Sequence, residues 1–120
     1  MMPEIPFEQM YREHVPLLNK LREVNAIPVD PKFVGFGAAQ VKFEINEMTR
    51  DDCEKAANFI RAHLMTTKAY GYPNNPLSEH VSLEVEPTGD TYDSHHLVFT
   101  TKTEESEDLL RALFVELKKR

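Results

Sequence analysis

Residues 80–101, "HVSLEVEPTGDTYDSHHLVFTT", hold three of the chain's five histidines together with Glu84 and Glu86. Alternation puts His80, Ser82, Glu84 and Glu86 on one face of a strand, and Val81, Leu83 and Val85 on the other. If the chain turns back through "PTGDTYD" so that Leu83 faces Leu97, then Glu84 faces His96. His80, Glu84 and His96 then become candidates for a metal site, because two imidazoles and a carboxylate suit zinc or another transition metal. The ordinary alternative is a solvated surface, where a cross-strand Glu–His pair contributes only about a few tenths of a kcal/mol. Register decides between them, since a slip of one residue reverses every side chain.

Histidine is the residue type suited to acid–base work near neutral pH, so His95 and His96 could serve catalysis, given an orienting carboxylate and a cleft. Asp90 and Asp93 are close in sequence, but residues of one turn are always close. The plainer expectation is one histidine facing the core at the end of the sheet and the other facing water. Cys53 lies on an apolar helical stripe, and Asp51 and Asp52 before it oppose a thiolate, so a small core residue is expected there. "GFGAAQ" opens like a dinucleotide fingerprint, but it lacks the third glycine and precedes a strand where the fingerprint follows one. No Walker, H-E-x-x-H, C-x-x-C or G-x-S-x-G pattern occurs. No catalytic residue is assigned, no cofactor is expected, and a non-enzymatic role is favoured.

Between those histidines and the preceding helix lies "YGYPNNPLSEH". Gly71, Pro73, Pro76, Asn74 and Asn75 are what a tight connector requires. Tyr70 and Tyr72 add something a connector does not need, large amphipathic contact area at low entropic cost. Tyr70, Tyr72, Asn74 and Asn75 are therefore binding candidates, with Glu84 and Glu86 able to steer a basic partner.

These residues need elements to hold them. "PFEQMYREHVPLLNKLREVNAIP" carries apolar residues at helical spacing from Phe7 to Val24. Pro16 either kinks this segment of residues 1–26 or opens a second helix. The prolines of "IPVDPKF" suggest an extended connector, and Gln40–Ile45 alternates as a half-buried strand. "MTRDDCEKAANFIRAHLM" is a helix capped by Thr49, burying Cys53, Ala56, Ala57, Ile60 and Leu64. The histidine-bearing stretch forms a hairpin. "TEESEDLLRALFVELKKR" is a helix in which cap, dipole and apolar stripe agree.

The order α-β-α-β-β-α predicts one α+β domain over residues 1–120. Its sheet is expected to have three strands, antiparallel or mixed, with helices packed on it, as part of a split β-α-β, ferredoxin-like arrangement. Such a sheet leaves an edge open to a second copy or a partner strand.

At 120 residues the chain can bury a core without disulfides or a metal. Its one cysteine fits a reducing compartment. "MMPEIPFEQM" has no charged region followed by an apolar run, so no signal peptide is expected and the cytoplasm is the default. No run is long enough for a membrane span. Fourteen basic against 20 acidic residues give −6, which disfavours nucleic acid and favours a basic protein partner. The expected function is protein binding, as an inhibitor, immunity protein or adaptor. The alternatives are a small enzyme or metal- or ligand-binding domain using the hairpin His and Glu residues, and a structural subunit assembling as a homodimer through its sheet edge.

Overall fold

The computed structural model describes residues 6–35, 38–69, 72–88 and 94–119, with the side chains of 30–35, 68–69 and 72–74 left undescribed. The chain opens with a short helix α1 (Phe7–Met10), a 3-10 turn (Arg12–His14) and helix α2 (Val15–Glu23). Pro16 sits in the first turn of α2, where its missing N–H costs nothing, so the segment is two helices and not one kinked helix. At the far end of α2, Asn25 adopts φ 54°. Ala26 N–H then reaches Leu21 O at 2.9 Å and Asn25 N–H reaches Arg22 O at 3.0 Å, which closes a Schellman motif.

Strand β1 (Ile27–Gly35) follows, and it corrects the expectation of a connector. Its prolines are tolerated because β1 is an edge strand and its register against β2 (Ala38–Asn46) shifts between Val29 and Lys32 and again between Phe33 and Gly35. The principal sheet therefore has four strands, not three, in the order β1-β2-β6-β5, every neighbouring pair antiparallel. The α+β class stands.

Helix α3 (Arg50–Thr66) starts where Thr49 Oγ1 accepts the Asp52 N–H at 3.2 Å, and it buries the expected five residues. After α3 come the two-stranded hairpin β3 (Lys68–Ala69) and β4 (Tyr72–Pro76), and a 3-10 turn (Leu77–Glu79). The turn leads into edge strand β5 (Val81–Pro87). Strand β6 (Ser94–Thr101) returns between β2 and β5, antiparallel to both. The β2-α3-β5 crossover split by β6 is thus the split β-α-β unit. Helix α4 (Glu104–Lys118) closes the chain with a capping box between Thr103 and Ser106.

One core joins the four helices to β2, β5 and β6. Val41, Phe43 and Ile45 of β2 and Leu97 and Phe99 of β6 meet Leu17, Leu18 and Leu21 of α2, Ile60 of α3, and Leu110 and Leu113 of α4. Phe43 and Phe99 cross edge to face, with centroids 5.7 Å apart. Helix α4 lies over β1 and β2, and α3 over β5 and β6. Among the described residues no helix is long and apolar enough to cross a membrane.

Candidate functional site

The strand pleat sorts the sheet into two faces. On the helix side lie the core residues and His95, 4 % exposed, flanked by Ile45 and Pro87. Among the described residues no helix packs on the other side. Glu44, His96 and Glu86 form one row across β2, β6 and β5, and Lys42, Val98 and Glu84 form the next. Glu84 and Glu86 are exposed, while Glu44, Lys42 and His96 are half-buried. Val98 is only 3 % exposed although it faces outward. It sits on a central strand, with Lys42 of β2 and Glu84 of β5 opposite it on either side.

This register differs from the one sketched from sequence. Leu83 lies opposite Phe99, not Leu97, so Glu86 and not Glu84 faces His96. His80 stands in the turn before β5, its carbonyl accepting the Lys102 N–H at 2.9 Å. His80, Glu84 and His96 are thus on different rows, and among the described residues no three His, Cys, Asp or Glu side chains are placed to hold a metal. The paired carboxylates beside His96 instead make a negative strip along the outer face.

The tyrosine-bearing segment resolves in part. Tyr72, Asn74 and Asn75 belong to β4, whose backbone pairs with β3, and Asn75 is half-buried. Leu77 is buried and its N–H reaches Thr67 O at 2.7 Å, tying the hairpin to the end of α3. Tyr70 and Gly71 lie outside the described residues, as do the side chains of Tyr72 and Asn74 and the hairpin residues Asp90 and Asp93.

Cys53 is buried, and burial, reinforced by Asp52 and Glu54, pushes its thiol up, away from the thiolate a nucleophile needs. The most perturbed histidine is one that strand alternation could not single out. His14 Nδ1 lies 2.9 Å from His63 Nε2, joining the N-terminal segment to α3. Burial, and next the neighbouring His63, lower the His14 pKa to about 4, and burial lowers that of His63 too. Both rings are thereby held neutral, one donating to the other, which is a structural clasp more than a catalytic dyad.

Sequence reading also missed a groove between α1 and α4. Phe7, Met10 and Tyr11 form one wall, and Ala112 and Val115 the other, around about 300 Å³. Met10 is 48 % exposed and Val115 is 49 % exposed. The available signal was Val115, an apolar residue out of phase with the Leu109, Leu110, Leu113 and Leu117 stripe. No family model matches the chain, and no curated protein and no solved structure matches it.

Proposed function

We propose that this chain is a non-enzymatic protein-binding module, of the inhibitor, immunity-protein or adaptor kind, that presents the helix-free face of its sheet to a basic partner. One observation carries the reading: on an open face around His96 and the buried Val98, the three carboxylates Glu44, Glu84 and Glu86 outnumber the single cation Lys42. An acidic face of this kind steers a cationic partner and fixes its orientation. The net charge of −6 acts in the same direction. Only the 3-10 turn Leu77–Glu79 separates the β3–β4 hairpin from β5, so the tyrosine-bearing segment and the acidic edge strand are close along the chain. Tyr70, Tyr72 and Asn74 are assigned to the contact centre on their composition.

The test is affinity capture from the native cell lysate with wild type, Glu84→Lys/Glu86→Lys and Tyr70→Ala/Tyr72→Ala. The expected result is a stoichiometric basic protein with wild type that is lost with the charge reversal and weakened by the tyrosine pair. The same proteins in all three lanes would refute the assignment.

A further inference from the structure

Helix α4 carries a second face besides its core stripe. Glu105, Asp108, Ala112, Val115 and Lys119 recur at three- and four-residue spacing, exposed except for half-buried Ala112. Along this face the groove against α1 continues past Met10 and Tyr11 into a second hollow of about 230 Å³ beside Glu105 and Asp108. One wall of the groove is therefore a full helix whose first half presents Glu105 and Asp108 and whose far end presents Lys119 beside Glu116, with Arg111 between. The occupant that such a wall fits best is a helix of reversed charge order. This chain supplies one, its own α4 running the other way.

We propose that two copies of the chain pack α4 against α4, antiparallel about a two-fold axis near Ala112. Glu105 and Lys119 each lie seven residues from Ala112, so the axis brings Glu105 of each copy level with Lys119 of the other. The small Ala112 side chains let the helices approach at the centre. Val115 of each copy lands at the level of Met10 and Tyr11 in the other copy's groove, covering the most exposed apolar atoms of that surface. Lys119 is within 3.5 Å of Glu116 of its own helix, an exposed contact that an intermolecular pair displaces at little loss.

The sheet edges are poorer lines for self-association. Pro28 and Pro31 remove N–H groups from β1, and its register shifts twice. On β5 the Leu83 carbonyl already accepts Arg61 Nε and Nη2, at 3.2 and 3.0 Å. The helical interface is on the opposite side of the molecule from the acidic sheet face, so the two surfaces stand or fall separately.

Sedimentation equilibrium on the full chain tests the pairing through a charge-swap cycle. Wild type should dimerise. Glu105→Lys and Lys119→Glu should each weaken the dimer roughly tenfold, because each change converts two symmetric attractions into repulsions. The double variant should regain the wild-type constant. Val115→Asp should be monomeric with an unchanged melting temperature, which separates a lost interface from a lost fold. A monomeric wild type would leave the groove to a different protein and overturn the proposal. A dimer indifferent to the single reversals, or one that the double variant fails to restore, would overturn it equally.

Discussion

Acidification should loosen the N-terminal segment before it unfolds most other elements, because the buried His14–His63 pair must stay neutral. His14 is 0 % exposed, so solvent does not screen its charge. Its folded pKa is about 4, below the ordinary histidine value of roughly 6.5. Between these values the unfolded chain takes up a proton that the folded chain refuses. The stabilisation is therefore complete above about pH 6.5 and is lost progressively as pH falls toward 4. The full gap corresponds to about 3 kcal/mol, of which about 2 kcal/mol is lost by pH 5. His63 adds a smaller loss of the same sign. Urea unfolding followed by circular dichroism at pH 7 and pH 5 measures it, with His14→Asn as the control. Asparagine keeps a polar atom near the position of Nδ1 but cannot titrate. The variant should start less stable at pH 7 and lose about 2 kcal/mol less on acidification. Equal losses in the two proteins would refute the reasoning.

Two further outcomes follow from named contacts. Arg61→Ala removes both N–H groups from the Leu83 carbonyl and should cost about 1–2 kcal/mol in urea unfolding. It should also raise light scattering with concentration as β5 regains an open acceptor, and no change in either signal would contradict the edge-capping role. Asn25→Ala should cost about 1 kcal/mol at φ 54°, whereas Asn25→Gly should be nearly neutral. Equal effects of the two substitutions in urea unfolding would contradict a backbone origin.

The parts of the fold legible in the sequence were those written locally. α3 and α4 each announce themselves by a threonine cap, acids in the first turn and one apolar stripe. β2, β5 and β6 are legible from alternation, and the split crossover from their order. β1 was hidden because Pro28 and Pro31 deny hydrogen bonds to a central strand, and nothing local reveals that a segment will lie at an edge with bulges. The outward direction of Glu84 and Glu86 was readable from the pleat, but their row partners were not. The length of the return through residues 88–93 sets that register, and a shift of two residues keeps every side chain on its face while exchanging Glu84 for Glu86 beside His96. The His14–His63 clasp joins residues 49 apart in sequence, so neither helix's own periodicity betrays it.

Nuclear magnetic resonance shift mapping with the captured partner tests the central claim most directly. Binding through the open face predicts perturbed amides at Lys42, Glu44, Ser82, Glu84, Glu86, His96 and Thr100, which share that side of the sheet. The α4 amides should hold their positions. Perturbations confined to α3 and α4, with the outer rows of the sheet unmoved, would contradict the claim and put the recognition surface on the helices.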